Sequence, residues 1–117
     1  MPSFKIDTST AVTFVAVAPT KKVANRQTGE IAVDRETGAE MMTLGLTVAD
    51  EGEAELFTVS VPATGIPEGL HLGMPVAVTG LKARTWENEF NGQKRWGIAF
   101  RAVAVTPLAS FTADTRG

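Results

Sequence analysis

The chain has 117 residues, no cysteine and a formal net charge of -2 at pH 7. Its length fits one domain, residues 1–117, with a core over about residues 8–107 and a frayed tail over 108–117. The lack of cysteine excludes disulfides and thiolate metal sites, and no apolar run approaches the roughly 18 residues that span a bilayer. We expect a cytoplasmic protein without membrane contact, on which any anion-binding surface is a local patch.

Apolar and polar residues alternate along most of the chain, as in β-strands. In chain order, the alternating segments are residues 9–19, 40–50, 54–62, 73–86 and 94–105. The interval of residues 62–73 holds at most one helical turn, around residues 68–72. This pattern predicts an all-β fold, a five-stranded oligonucleotide/oligosaccharide-binding (OB) barrel with a long strand 1–2 loop and an extended strand 4–5 hairpin. A six-stranded barrel or a small sandwich is the alternative.

The long strand 1–2 loop covers residues 21–40 and is either an extended loop or a small flap hairpin. It begins with the basic residues Lys21, Lys22 and Arg26. Acidic residues follow, among them Asp34, so a plain solvated loop is one interpretation. The other is a binding role, because in OB folds this loop and the strand 4–5 loop flank the binding groove.

The strand 4–5 hairpin turns at Asn91-Gly92, a strong signal for a two-residue type I′ turn. Without a bulge, Glu87 lies opposite Trp96. The pattern then predicts Trp96, Ile98 and Phe100 on the core side and Trp86 on the outer side. A bulge would exchange the two tryptophans.

The predicted outer side interleaves aromatic rings with cations, which suits a single strand of nucleic acid: bases stack on rings and cations meet phosphates. The candidate binding residues are Lys82, Arg84, Trp86, Phe90, Arg95 and Arg101, with Lys21, Lys22 and Arg26 from the loop. Residues 82–101 hold five basic and two acidic side chains, so this segment carries +3 and the rest of the chain -5. The alternative interpretation is a purely structural role, in which the cations keep a strand edge soluble and Trp86 covers one end of the barrel.

The segment LHLGMPVAVTGLKARTWENEFNGQKRWGIAFRAVAV, residues 70–105, resembles the fourth-strand-to-fifth-strand half of bacterial-type single-stranded DNA-binding proteins. The matching positions are Leu72, Gly73, Val76, Val78 and Gly80. The beginning of the chain and the DRETG loop are similar to small versions carried on actinobacterial plasmids and integrative elements. The resemblance covers about residues 8–107, although the family's helix after strand three is reduced here to GIPEGLHLG. It implies a homo-oligomer, dimer or tetramer, that binds single-stranded DNA or else RNA.

We therefore predict a sequence-tolerant single-stranded DNA-binding protein. The alternative is an OB-like protein-interaction or regulatory module of a plasmid or integrative-element replication or transfer system. A double-stranded DNA regulator is a third candidate, but no recognition helix is evident. The lone histidine, His71, has no partners for a triad or zinc site, and the glycines form no phosphate-binding motif. We expect no enzyme, no metal, no cofactor and no small-molecule substrate.

Overall fold

The computed structural model describes residues 3–25 and 27–108, without the side chain of Phe90. The predicted frayed tail, apart from Leu108, and the candidate Arg26 lie outside the described residues. Within them, the regular structure is β-strand except for one 3₁₀ turn, Ala63–Gly65. No helix in this part of the chain is long and apolar enough to cross a membrane.

Ten strands follow one another along the chain. They are β1 (Ser3–Lys5), β2 (Val12–Lys21), β3 (Val23–Asn25), β4 (Glu30–Ile31), β5 (Met41–Asp50), β6 (Glu53–Pro62), β7 (Pro75–Thr79), β8 (Lys82–Phe90), β9 (Gln93–Arg101) and β10 (Ala104–Pro107).

Eight strands form one curled sheet in the order β1-β8-β9-β6-β5-β2-β7-β10. β7 runs into β8, and β9 runs into β10. β8 pairs with β9, and β7 pairs with β10, so the chain segments β7–β8 and β9–β10 form one long two-stranded ribbon. One half of this ribbon lies near one end of the strand order, and the other half lies at the opposite end. The sheet therefore curls back on itself, which confirms an all-β, OB-like arrangement. The predicted fourth and fifth strands are each divided in two, and β1 adds an edge strand next to β8.

The division between β7 and β8 falls at Gly80, which has φ +67°. This left-handed conformation favours glycine because it has no Cβ. A Cβ at Gly80 would also lie 2.8 Å from a methyl group of Val103, in the matching break between β9 and β10. The two bends thus pack against each other and turn the ribbon from one side of the sheet to the other.

The core lies between β5, β6 and the strands that curl over them. β5 and β6 pair over ten residues without a register shift, from Met41↔Pro62 to Asp50↔Glu53. Their alternate residues Leu44, Leu46, Val59 and Val61 are at most 1% exposed. Burying each of these side chains contributes roughly 1.5–3 kcal/mol, so this part of the sheet is a rigid base for the ribbon.

The structure bears on the sequence predictions for two loops, residues 62–73 and residues 21–40. The sequence allows at most one helical turn in residues 62–73, and the turn that forms there is the 3₁₀ turn Ala63–Gly65 and not one around residues 68–72. Within residues 21–40, β3 and β4 form a two-stranded sheet, so the flap hairpin is the correct one of the two alternatives. Asn25 closes its turn, since its Oδ1 accepts a hydrogen bond from the Gln27 amide at 2.9 Å.

Candidate nucleic-acid interface

The β8–β9 hairpin carries most of the predicted site residues in one unbroken register. Its pairs run from Lys82↔Arg101 to Phe90↔Gln93, with Trp86 opposite Gly97 and Glu87 opposite Trp96. Asn91 and Gly92 both have positive φ, 52° and 78°, as a type I′ turn requires. The predicted turn and the register without a bulge are confirmed.

This register gives the hairpin two chemically different faces. The Trp86 face consists of Lys82, Arg84, Trp86, Asn88, Phe90, Gln93, Arg95, Gly97, Ala99 and Arg101. The Trp96 face consists of Ala83, Thr85, Glu87, Glu89, Lys94, Trp96, Ile98 and Phe100. All acidic side chains of the hairpin are on the Trp96 face, whereas the charged side chains of the Trp86 face are all basic.

Trp86 lies across the strand opposite it. A Cβ added to Gly97 would lie only 2.6 Å from Cζ2 of the indole, so the ring occupies the space that a side chain at position 97 would fill. The residue is nevertheless 39% exposed. One side of the ring is thus supported by backbone, and the exposed remainder is presented on the same face as the cations.

The cations of the Trp86 face are largely uncompensated. Among the described residues, no carboxylate lies within ion-pair distance of Lys82, Arg84 or Arg95. Lys82 is directly opposite Arg101, and like charges in that position repel each other. A polyanion bound along this face would relieve the repulsion.

Lys22 adds a cation from the end of β2. Its Nζ donates a hydrogen bond to Oγ of Ser60 at 2.9 Å. Partial burial lowers the pKa of Lys22, and the positive charges of Arg101 and Arg84 lower it further. The charges therefore converge closely enough to interact, which favours an anion between them.

A groove of about 580 Å³ opens where this end of the hairpin meets β1, β6 and the segment after β4. We call it the basic groove. Its charged lining residues are Lys22, Asp34, Arg35, Glu36, Lys82, Arg84 and Arg101. The groove continues the basic side of the Trp86 face towards the barrel, and the acidic β5–β6 turn at Asp50–Glu53 lies at the far end of its hairpin, about 23 Å of strand from Ser60.

The most important groove residue missing from the sequence prediction is Asp34. Its side chain is only 4% exposed and is paired with the Arg101 guanidinium. Its other carboxylate oxygen accepts a hydrogen bond from the Thr37 hydroxyl at 2.7 Å. The Thr37 hydroxyl, followed by Arg101, lowers the pKa of Asp34 from its usual value. No local sequence pattern indicates this contact, because the two partners are 67 residues apart.

The predicted site residues are only partly brought together. Lys22, Lys82, Arg84 and Arg101 line the basic groove. Lys21 instead pairs with Glu40 at 3.4 Å and does not line it. Arg95 lies on the Trp86 face six residues from Arg101, about 20 Å along the strand. Arg26 and the side chain of Phe90 are outside the described part of the structure, so their roles stay predictions.

The prediction that Trp96 and Ile98 enter the barrel core is wrong. Trp96 is 75% exposed and Ile98 is 52% exposed. The cause is that β9 diverges from the neighbouring strand: β6 continues back to Glu53, but it pairs with β9 only at Phe100 and Arg101. Phe100 packs against the core and contacts Phe57, with ring centroids 4.6 Å apart. Between Phe100 and the Asn91-Gly92 turn the hairpin projects from the barrel, so Trp96 and Ile98 are exposed to solvent.

The described residues contain no group of three or more histidine, aspartate or glutamate side chains able to hold a metal ion. The arrangement instead resembles an extended anion-binding surface on an OB-like sheet.

One solved structure is similar to the chain over nearly its whole length. It is the small single-stranded DNA-binding protein from Streptomyces coelicolor, matched over 95% of this chain and 99% of that one, with a TM-score of 0.50 and 20% sequence identity. At this identity the likeness shows the fold. No protein-family model matches the chain, and no curated protein does.

Proposed function

We propose that this protein binds single-stranded DNA with little preference for sequence. The observation that carries the proposal is the Trp86 face, where an exposed indole and unpaired cations share one side of a projecting ribbon. The fold supports it, because OB barrels bind oligonucleotides beside this hairpin, and the structurally similar Streptomyces protein is a single-stranded DNA-binding protein.

In this mechanism, a base stacks on the exposed side of Trp86 while the opposite side stays on Gly97. The sugar-phosphate backbone follows Arg95 near the turn and Lys82, Arg84 and Arg101 near the barrel. Lys22 adds a contact from the basic groove. Stacking does not discriminate strongly among bases, since every base has a flat face, and phosphate contacts are independent of sequence. Phe90 and Arg26 are proposed contributors at the hairpin tip and the flap, and Lys21 is a peripheral one.

Titration of oligo-dT against a Trp96→Phe variant tests the stacking role, because Trp86 is then the sole tryptophan. We expect its fluorescence to be quenched on binding. Trp86→Ala should weaken the affinity for labelled oligo-dT by roughly 1–3 kcal/mol, whereas Trp96→Phe, the matched control, should bind like the unsubstituted chain. Folded protein that neither quenches nor binds at low salt would refute the proposal.

The class of polymer is tested by competition. A single-stranded DNA, an RNA of equal length and the corresponding duplex are each added to the complex with labelled oligo-dT. Single-stranded competitors should displace the label, whereas the duplex should not, because paired bases cannot stack on Trp86. Preferential displacement by duplex would favour a double-stranded DNA regulator instead.

We also propose that the protein acts as a homo-oligomer, with the Trp96 face against a second copy. Trp96 and Ile98 form an exposed apolar stripe bordered by Glu87 and Lys94, whose side chains lie 3.8 Å apart. Two such faces related by a twofold axis would bury the apolar residues and bring unlike charges together. Sedimentation equilibrium should show a dimer or larger species, and Trp96→Glu should shift it to monomer. A monomer at every concentration would exclude this arrangement.

The second candidate function is a protein-interaction or regulatory module of a plasmid or integrative-element system, and in it the same stripe would be the partner-binding surface. Tryptophan is a common interface anchor, and the acidic neighbours on this face disfavour a polyanion there. In that case Trp96→Glu would abolish capture of the partner protein, and Trp86→Ala would leave it unchanged. The reverse result, with DNA binding lost on Trp86→Ala alone, supports the DNA-binding function.

A further inference from the structure

Of the two acidic residues that line the basic groove, Asp34 and Glu36, only Asp34 is buried and paired with one of the groove's cations. Asp34 and Thr13 are the two buried polar or charged residues in the described part of the chain. The Asp34 carboxylate projects into the groove from residues 32–40, which we call the Asp34 loop. A buried carboxylate among cations is costly to maintain unless both of its oxygens have partners, and here they have Arg101 and Thr37.

The base of the Asp34 loop is held by main-chain hydrogen bonds. The Ala32 amide donates to the Lys22 carbonyl at 2.8 Å, and the Met41 amide donates to the Ala32 carbonyl at 2.8 Å. Nearer the tip, the Asp34 amide donates to the Ala39 carbonyl at 2.8 Å. Residues 35–38 are exposed. The side-chain contact to Arg101 therefore joins a small surface loop to β9.

The surroundings of this contact are basic. Arg101 lies opposite Lys82, and Lys22 and Arg84 are close enough for charge repulsion. A guanidinium donates charge-assisted hydrogen bonds to carboxylate and phosphate oxygens alike, and here Arg101 donates one to a single oxygen of Asp34. The Asp34 carboxylate thus accepts a hydrogen bond from Arg101 that a phosphate oxygen could equally accept.

We propose that Asp34 is an internal competitor for nucleic-acid phosphate, and that a bound strand displaces it from Arg101 and releases the Asp34 loop from the groove. This inference rests on the proposed function. In the free protein the contact neutralises one cation and limits repulsion with Lys82. In the complex the phosphodiester takes over both roles. The loop accordingly sets the affinity of the groove without contacting a base.

Asp34→Asn is the sharpest test, because the amide oxygen still accepts from Thr37 while the negative charge that pairs with Arg101 is lost. We expect the variant to bind oligo-dT more tightly by roughly two- to five-fold, the effect of one ion pair whose cation is exposed to solvent. Glu36→Gln is the matched control: it removes one negative charge from the same loop and the same groove, but Glu36 has no ion pair in the described structure. It should change the affinity much less.

A double-mutant cycle assigns the effect to Arg101. In an Arg101→Gln background, Asp34→Asn should leave the affinity unchanged, since no guanidinium remains to be released. Equal gains from Asp34→Asn and Glu36→Gln would overturn the inference in favour of overall charge. Equal or weaker binding by a folded Asp34→Asn would also overturn it, and would make Asp34 a residue that positions Arg101 for the strand.

The two proposals fail in different ways. If the unsubstituted chain binds oligo-dT but Asp34→Asn binds no better, only the competitor role is excluded. If neither binds while circular dichroism shows folded protein, the DNA-binding function is excluded and the competitor role with it.

Discussion

The barrel side of β5–β6 and the Trp96 face of the β8–β9 hairpin carry the same kind of alternating apolar pattern, yet their surroundings are opposite. Leu44 in β5 is 1% exposed, whereas Ile98 in β9 is 52% exposed. β5 is flanked by β2 and β6, and the curled sheet covers its inner face. Beyond Phe100, β9 has β8 as its only described strand neighbour. Alternation therefore decides which residues share a face, and neighbouring strands decide whether that face is covered.

The largest expected effect separates these two regions by stability. Leu44→Ala should lower the free energy of unfolding by roughly 2–5 kcal/mol, because it leaves a cavity in a packed core. Ile98→Ala should change it by no more than about 0.5 kcal/mol in dilute protein, since an exposed side chain has little packing to lose. Urea denaturation followed by far-ultraviolet circular dichroism measures both.

Similar losses from the two substitutions would show that the Trp96 face is covered in solution. Such a result at high protein concentration alone would support the proposed contact with a second copy. Similar losses at every protein concentration would contradict the conclusion that the hairpin projects freely from the barrel.

A second, smaller effect concerns the support of Trp86. Gly97→Ala places a methyl group where the indole lies, 2.6 Å from Cζ2. Because the ring is partly exposed, it should swing away at little cost to folding. We expect oligo-dT binding to weaken, by less than the roughly 1–3 kcal/mol loss for removal of a stacking ring. In the Trp96→Phe background, acrylamide should quench Trp86 more strongly after this substitution.

The control for this effect is Gly97→Ala in a Trp86→Ala background, which should cause no further loss of binding. A further loss would mean that Gly97 acts by allowing close approach of the strand to the backbone, not by supporting the indole.

The site residues differ in how far they could be predicted, and the difference follows the range of the interactions. Asn91-Gly92 fixes the turn locally, the turn fixes the register, and the register places Trp86 beside the cations. The exposure of Trp96 depends on where β6 stops pairing with β9, which alternation within β9 does not encode. Similarly, the bends at Gly80 and Val103 divide two predicted strands, because the ribbon must change sides of the curled sheet.

The role of Asp34 is even harder to predict from local sequence patterns. Its sequence neighbourhood, DRETG, is that of an ordinary polar turn. Its negative charge helps to balance the basic residues of the loop, so the net charge of the loop is small and gives no indication of an anion-binding site. The pairing with Arg101 arises only when the Asp34 loop folds back beside β9, across 67 residues of chain. The sequence thus predicts four of the five cations that line the basic groove, all but Arg35, and misses the buried anion that pairs with Arg101.

The smallest effect tests the contrast between the two faces with adjacent residues. Arg95 lies on the Trp86 face opposite Asn88, whereas Lys94 lies on the Trp96 face and pairs with Glu87. Each is changed to glutamine, so each variant loses one positive charge at the same end of the hairpin. For Arg95→Gln, the slope of log affinity for oligo-dT against log salt should fall by about 0.7, the loss of one phosphate contact to a single strand. Lys94→Gln should leave that slope unchanged, because its charge faces away from the strand.

If both variants lower the slope equally, the net charge of the hairpin attracts the nucleic-acid strand and the strand does not distinguish the two faces. A change for Lys94→Gln alone would place the strand on the Trp96 face and reverse the assignment of the two tryptophans.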